Sequence, residues 1–192
     1  MKRICVYCGS NPGRRPEYTA AAKALAKTLC ENGLGLVYGG AKIGIMGAIA
    51  DTMIEHGGEV IGVMPQSLVD REVAHPGLTR LEVVASMHDR KAMMAELSDG
   101  FIALPGGIGT LEEIFEVMTW AQLGFHKKPC ALFNVEGYYD KMAAFLDHVV
   151  EEGFVKAEHR GILMNISEPA ALIKTFKTYE APVATTKWVG RK

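Results

Sequence analysis

Short apolar runs alternate along the chain with longer amphipathic stretches. Six runs have the length and composition of buried strands, at residues 3–8, 35–38, 59–64, 80–84, 100–104 and 130–134. Six stretches show apolar residues at helical spacing, at residues 17–32, 44–56, 87–97, 111–123, 138–151 and 168–179. Strands that alternate with helices of this length are typical of βαβ units. The pattern therefore predicts an α/β fold, a Rossmann-like, doubly wound and mostly parallel sheet with helices on both faces.

The predicted elements follow one another without a linker, a repeat or a low-complexity stretch. A chain of 192 residues has the ordinary size of one domain and can bury a substantial core. We therefore expect a single domain over residues 1–180. Residues 181–192 end in a stretch without helical or strand period, and we expect them to form a flexible tail.

Composition and charge exclude several broad classes of protein. Hydrophobic residues make up 48% of the chain, too many for a protein that is disordered as a whole. The formal net charge of −1 argues against a nucleic-acid partner, because sequence-independent binding needs a basic surface. No apolar run approaches the about 18 residues of a membrane helix, and no signal-peptide pattern follows Lys2 and Arg3. We expect a soluble, cytoplasmic protein without a membrane partner.

Two of the four cysteines, Cys5 and Cys8, form a CxxC pair that is also found in redox and zinc sites. They lie on a predicted strand, where residues three apart point to opposite faces of the sheet. No second CxxC or histidine pair accompanies them to complete a metal site. The sequence therefore favours reduced cysteines that pack in the core, and it predicts no metal site.

Two strand-to-helix junctions are rich in glycine. Gly39 and Gly40 follow one predicted strand, and the stretch 106–109, with three glycines, follows another and precedes Thr110. Ligands of doubly wound sheets bind at such junctions, beyond the carboxyl ends of the strands. Neither junction matches the dinucleotide pattern or the Walker A loop. Both a phosphate site at a helix N-terminus and simple tight turns fit the spacing.

Glu113 has two interpretations from the local pattern. Thr110 and Glu113 have the spacing of a capping box, in which the glutamate reaches back to the first residue of the helix. An ideal helical wheel puts Glu113 beside Val117 and Trp120, nearly opposite the expected core stripe of Leu111, Ile114, Phe115 and Met118. A helix that is apolar on two sides predicts a partner subunit or the wall of a pocket. The local pattern alone favours the capping box.

Arg90 is unusual because it lies in the first turn of a predicted helix that starts near Ser86. A cation at that position opposes the helix dipole. The helical wheel also puts Arg90 on the apolar face, together with Met87 and Met94. Arg90 could extend over the core with its charge in solvent, or its guanidinium could bind an anion or pair with a carboxylate. We favour the second interpretation.

Two motifs at these positions resemble those of a known family. Pro105-Gly-Gly-Ile-Gly-Thr-x-x-Glu113 resembles the PGGxGTxxE signature of the LOG (Lonely Guy) family of cytokinin-activating phosphoribohydrolases, and Met87-His-Asp-Arg-Lys91 is similar to its M-H-x-R-K segment. The resemblance covers about residues 2–179. One departure is Ala41, where many relatives have a third glycine. Such proteins have also been labelled lysine decarboxylases, but no lysine motif for pyridoxal phosphate is recognisable here.

The resemblance implies a hydrolase that cleaves the N-glycosidic bond of adenosine 5′-monophosphates, with or without an N6 substituent, and releases the base and ribose 5-phosphate. It implies no cofactor and a homodimer. By motif match, the catalytic residues are Arg90 and Glu113. The implied substrate-binding residues are Glu72, Arg90, Lys91, Gly107, Ile108, Gly109, Thr110, Leu111, Glu112, Glu113 and Thr119. Ser10, Gly39 and Gly40 are candidates for an additional phosphate or ribose loop.

The chemistry of this reaction suggests a role for each group. A carboxylate near C1′ can stabilise the developing cation and accept a proton from water, which we assign to Glu113. Arg90 either orients Glu113 or meets the anionic group of the substrate. Two alternatives stay open: an AMP nucleosidase with the same chemistry, and a non-catalytic nucleotide or cofactor carrier on the same fold.

Overall fold

The protein is described here by a computed structural model that covers residues 1–71 and 73–182. The predicted site residue Glu72 and most of the predicted tail, residues 183–192, lie outside the described residues. Seven strands form the sheet: β1 (Arg3–Tyr7), β2 (Gly35–Tyr38), β3 (Val60–Pro65), β4 (Arg80–Val84), β5 (Phe101–Ala103), β6 (Cys130–Phe133) and β7 (Leu163–Ile166). Their order is β4-β3-β2-β1-β5-β6-β7, and every neighbouring pair is parallel.

Helices connect these strands. They are α1 (Pro16–Glu31), α2 (Gly44–Glu55), α3 (Gln66–Val69), α4 (Met87–Glu96), α5 (Ile108–Gln122), α6 (Asp140–Glu151), α7 (Ala157–Arg160) and α8 (Pro169–Lys177). A 3₁₀ turn at Val135–Gly137 precedes α6. No helix in the described part of the chain is long and apolar enough to cross a membrane.

The core consists of two apolar layers, one on each face of the sheet. Consecutive strand residues point to opposite faces, so Ile4 belongs to one layer and Cys5 to the other. The first layer includes buried residues of α1, α2 and α8, and the second those of α4, α5 and α6. All four cysteines are free thiols; Cys30 is half-buried and the other three are buried.

The predicted fold class is confirmed, and the sheet is entirely parallel rather than mostly so. Each predicted strand and helix corresponds to an observed one within a few residues. The sequence pattern missed β7, whose four residues include an exposed Asn165, and the two short helices α3 and α7. It also placed the start of α5 at Leu111, whereas the helix begins at Ile108.

The strand order determines where a ligand can bind. From β1 the chain builds the sheet in one direction through β2, β3 and β4, and in the other through β5, β6 and β7. Doubly wound folds bind ligands in the crevice at such a reversal, beyond the carboxyl ends of the strands. The crevice here lies between β1 and β5, where α5 begins.

Candidate active site

A cavity of about 380 Å³ opens at this crevice. Its walls come from the loop after β1, the end of β2, helices α3 and α4, and the first turn of α5. Among its lining residues are Ser10, Gly39, Arg90, Gly107, Ile108, Gly109, Thr110 and Glu113. The volume falls within the range of small-molecule sites. Residues far apart in the sequence that were predicted to bind substrate therefore do meet at one place.

A buried ion pair between Arg90 and Glu113 lies in the wall of this cavity. Arg90 Nη1 donates a hydrogen bond to Glu113 Oε1, and only about a tenth of each side chain is exposed. Arg90 Nε donates to the backbone carbonyl of Val63 on β3, at 3.0 Å. The guanidinium is thus held at two points, and it fixes the orientation of the carboxylate in turn.

The electrostatics of Glu113 are set by opposing effects. Burial disfavours the charged form and raises the pKa of the Glu113 carboxyl above its ordinary value. The positive charge and the hydrogen bond of Arg90 act in the opposite direction and limit the rise. A carboxyl with a raised pKa that remains paired with a cation is suited to accept a proton near neutral pH.

Gly39 makes room for the guanidinium. A Cβ atom at this position would lie 2.4 Å from Arg90 Nη2 and 2.9 Å from Met46 Sδ. Gly39 lines the cavity, but Gly40 does not; Gly40 has a φ of +82° and packs near Met64 and Leu81. Of these two candidate residues, the structure thus places Gly39 and not Gly40 in the cavity wall, and the close contact of Gly39 is with Arg90.

The N-terminus of α5 faces the cavity without a side-chain cap. Gly107 is the residue before the helix, and the first turn carries no acidic side chain. Because the first N–H groups of a helix have no partner within it, this end attracts an anion. Gly106 allows the turn to close, since a Cβ there would lie 2.1 Å from Thr110 Oγ1 and 3.0 Å from Gly9 N. Of the two interpretations that the sequence left open here, the uncapped helix start makes this turn a candidate anion site.

The capping-box interpretation is wrong. Because α5 begins at Ile108, Thr110 is its third residue and is buried, and the Glu113 side chain bonds Arg90 rather than the helix start. The predicted core stripe is correct for Ile114 and Met118, which are buried, while Leu111 and Phe115 are half-buried and pack against the second core layer. Contrary to the prediction, Glu113 and Val117 are buried as well.

Four other predicted residues lie outside the cavity. Lys91 is buried and binds two carboxylates of α5, Glu112 at 2.5 Å and Glu116 at 3.0 Å. Thr119 is exposed, and its hydroxyl donates to the carbonyl of Phe115. Leu111 packs against the second core layer. Within one protomer the structure therefore does not bring Lys91, Leu111, Glu112 and Thr119 to the substrate cavity.

The segment that carries Glu72 is tied to the Gly39–Gly40 junction. Lys42 N donates to the carbonyl of Val73 at 3.0 Å, and His75 N donates to that of Gly40 at 2.9 Å. The residues that follow Glu72 are thereby held near the mouth of the site. Glu72 itself cannot be placed, because it lies outside the described residues.

An apolar wall of the cavity escaped the sequence analysis as a site feature. It consists of Met46, Leu68, Met87 and Met94. Met87 and Met94 share the face of α4 that carries Arg90. This shared spacing was the feature of the sequence that could have identified them as residues of the site. Methionine side chains are flexible and polarizable, which suits them to contact a planar base or an alkyl group.

Comparisons with known proteins find relatives along most of the chain. A family model described as "Possible lysine decarboxylase" matches residues 46–176. The cytokinin riboside 5′-monophosphate phosphoribohydrolase LOG of Oryza sativa is 49% identical over 93% of this chain and 74% of its own length. The corresponding LOG1 protein of Arabidopsis thaliana is 48% identical over 93% of this chain and 84% of its own.

Among solved structures, two more distant proteins share the fold. A molybdenum cofactor carrier protein from Chlamydomonas reinhardtii has a TM-score of 0.70 at 21% identity, covering 93% of this chain and 99% of that one. A molybdenum cofactor binding protein from Rippkaea orientalis has the same TM-score and identity, covering 93% and 97%. At this identity the likeness concerns the fold alone.

Proposed function

Because the chain belongs to the LOG family of cytokinin riboside 5′-monophosphate phosphoribohydrolases, we propose that it hydrolyses N6-substituted adenosine 5′-monophosphates. The products are the free cytokinin base and ribose 5-phosphate. The observation that carries this proposal is the buried Arg90–Glu113 pair, placed in one cavity with the uncapped N-terminus of α5.

The 5′-phosphate binds at the start of α5. The free N–H groups of the first turn donate to its oxygens, and the helix dipole favours its negative charge. Glu113 lies one to two turns further along the same helix, so a phosphate bound at Gly107–Gly109 would keep the ribose near this carboxylate. The fixed spacing along one helix thus supplies the orientation that the reaction requires.

The carboxylate of Glu113 assists the cleavage. As the bond between C1′ and N9 breaks, positive charge develops on the ribose, and the bonding electrons leave with the base. A water molecule adds to C1′ and gives up a proton to Glu113, while the departing base takes up a proton. The positive charge of Arg90 favours the ionised form of the carboxylate. The hydrogen bond from Arg90 Nε to the carbonyl of Val63 holds the guanidinium in place, and the guanidinium in turn keeps the carboxylate oriented.

The apolar wall supports the assignment of the base. Met87 of α4 is 47% exposed, and with Met46, Leu68 and Met94 it gives one side of the cavity an adaptable apolar surface. Such a surface can accept an alkyl substituent on N6, and it can also accept plain adenine. AMP is therefore the closest competing substrate.

We also assign a homodimer to the protein. Val117, which the sequence analysis placed on a second apolar face, is buried in the core of its own protomer. The same helix and the loop after it nevertheless expose Leu123 at 47% and Phe125 at 75%, which is consistent with a partner subunit on this side. A cytoplasmic location stays a prediction from the sequence.

The decisive experiment compares two substrates side by side. Purified protein is incubated with AMP and with isopentenyladenosine monophosphate, and the free base is followed by chromatography. We expect release of the base from both, with the higher kcat/KM for the prenylated nucleotide. The variant Glu113→Gln should remain folded and lose at least about 10²-fold in turnover.

Glu116→Gln is the matched control, since it removes a carboxylate from the same helix outside the cavity. It should retain most of the activity. Hydrolysis by Glu113→Gln at the wild-type rate would contradict the proposed role of this residue. Binding of nucleotide without any product would indicate a carrier protein.

A further inference from the structure

Tyr138 contacts the turn that residues 106–109 form before α5, here called the glycine turn, and it does so from outside the substrate cavity. Its hydroxyl donates a hydrogen bond of 2.6 Å to the carbonyl of Gly106, and the side chain is 42% exposed. The next residue, Tyr139, is buried and donates a bond of 2.7 Å to the carbonyl of Leu104. Two consecutive tyrosines thus hold the backbone between β5 and α5 from the loop that follows β6.

The position of Tyr138 is itself determined by its surroundings. Its ring packs edge-to-face against Tyr18 of α1, with centroids 5.6 Å apart, and against Tyr139, at 4.9 Å. The preceding turn contains two residues in the left-handed region, Glu136 and Gly137, with φ values of +51° and +69°. This tight turn directs the chain so that Tyr138 lies over the glycine turn rather than in solvent.

The hydrogen bond controls the direction of a neighbouring N–H group. A trans peptide is planar, so the carbonyl of Gly106 and the N–H of Gly107 point in opposite directions. With this carbonyl held by Tyr138, the N–H of Gly107 faces away from Tyr138. Gly107 lines the substrate cavity, whereas Tyr138 does not.

The contact from Tyr138 acts on a peptide that has glycine on both sides, where the steric barriers that restrict other residues are absent. Other contacts hold the rest of the turn: Gly106 leaves no room for a Cβ beside Thr110 and Gly9, and the Gly107 carbonyl accepts a hydrogen bond of 3.2 Å from Leu111 N. The bond from Tyr138 is the contact that acts on the Gly106 carbonyl itself.

We propose that Tyr138 is a positioning residue, which holds the Gly106–Gly107 peptide so that the Gly107 N–H is directed to a phosphate bound at the start of α5. The inference rests on the proposed function for the identity of the substrate. The inference also requires that an oxyanion binds at the start of α5, and this requirement can be tested with inorganic phosphate alone.

The test uses Tyr138→Phe, which keeps the ring and its packing and removes only the hydroxyl. We expect the KM for AMP and the Kd for inorganic phosphate each to rise about fivefold, as the loss of one restraining hydrogen bond predicts. The kcat should remain within about a factor of two, because Glu113 and Arg90 are untouched. The inhibition constant of adenosine, which has no phosphate, should not change.

Tyr18→Phe is the matched control, since it removes the hydroxyl of the tyrosine that packs on Tyr138 and keeps both the ring contact and the bond to Gly106. It should leave the phosphate Kd and the KM unchanged. The proposal is overturned if Tyr138→Phe binds phosphate as the wild type does, if both variants are weakened equally, or if adenosine is affected as much as phosphate. If the wild type binds phosphate but hydrolyses no nucleotide, the proposed function fails while the phosphate measurements still decide the role of Tyr138.

Discussion

Glu113 shows how a single residue can combine properties that usually exclude each other. A carboxylate with so little exposure is costly to ionise, and Arg90 offsets part of that cost through a charge-assisted hydrogen bond. The balance leaves a base whose pKa is raised but which still has a cationic partner. This property should be visible in the pH dependence of the reaction.

We expect the acid limb of the profile of kcat/KM to lie above pH 4.5, the ordinary value for glutamate, because the pKa of Glu113 is raised by burial. The carboxyl must be ionised to accept a proton, so the rate should fall as the pH decreases through this raised value. The phosphate group of the substrate also titrates, and it does so near pH 6. Measuring the inhibition constant of ribose 5-phosphate across the same pH range separates the titration of the phosphate from that of Glu113. A rate that stays constant down to pH 4.5 would contradict the role assigned to Glu113.

The contact between Gly39 and Arg90 leads to a second prediction. Replacing Gly39 by alanine places a methyl group 2.4 Å from Arg90 Nη2, so the guanidinium that bonds Glu113 must shift. A displacement of this size at a catalytic group costs about 10²-fold in kcat/KM, and we expect that loss in a protein that remains folded. Gly161→Ala is the control, because its Cβ would make only an ordinary contact with Glu158. Equal activity of the two variants would show that Gly39 does not support the pair.

At this scale, the sequence singled out Arg90 and Glu113, which the structure brings together, but it did not indicate what holds them. Arg90 attracted notice because a cation on an apolar face in the first turn of a helix is unfavourable without a partner. The carbonyl of Val63 and the space above Gly39 gave no signal, since a backbone acceptor and a missing Cβ are not visible in one sequence. The roles of these residues depend on neighbours that only the fold brings together.

At the scale of elements, α5 carries most of the site. One helix presents its first turn and its Glu113 to the cavity, and its Val117 and Met118 to the core. Its first turn was missed because two glycines around Ile108 have poor helix propensity. Here the tertiary contact of Thr110 with Gly106 outweighs that propensity.

A charge placed on the first turn tests the role of this helix. Ile108→Asp adds an acidic residue at a position that is 82% exposed. Such a residue favours the helix itself, so the melting temperature should stay equal or rise, but it repels a bound phosphate. We expect the KM for AMP to rise roughly three- to tenfold, and the neutral Ile108→Asn to show little of this effect. An unchanged KM for the aspartate variant would place the phosphate elsewhere.

The strands show where prediction from a pattern ends. Continuous apolar runs marked the central strands, because both of their faces are covered by helices. The edge strand β7 is short and exposes Asn165, so it lacks the run that makes a buried strand recognisable. Its pairing with β6 provides what its own sequence does not.

At the scale of the whole molecule, the distribution of exposed apolar residues bears on assembly. Leu123 and Phe125 lie just after the end of α5, with Gly124 between them, and are 47% and 75% exposed. The ion pairs of Lys91 with Glu112 and Glu116 join α4 to the earlier part of α5, away from these two residues. The proposed dimer therefore has its test at Leu123 and Phe125.

Light scattering coupled to size exclusion should give twice the mass of one chain for the wild type. Leu123→Glu and Phe125→Glu should each shift the protein toward the monomer, because a charge would have to be buried in the interface. Phe154→Glu changes an equally exposed aromatic residue between α6 and α7 and should leave the dimer intact. A monomeric wild type at micromolar concentration would contradict the assembly.

The cavity is formed to a large extent by main chain. Gly9, Gly39, Gly107 and Gly109 bring three stretches of backbone to it, and the Ile108 side chain is 82% exposed. An N–H group is the same in every residue except proline, so exchanging Ile108 for another uncharged residue leaves the main-chain donors of this wall in place. A substitution at this position therefore alters the charge and bulk on the solvent side of the cavity without removing a hydrogen-bond donor from it.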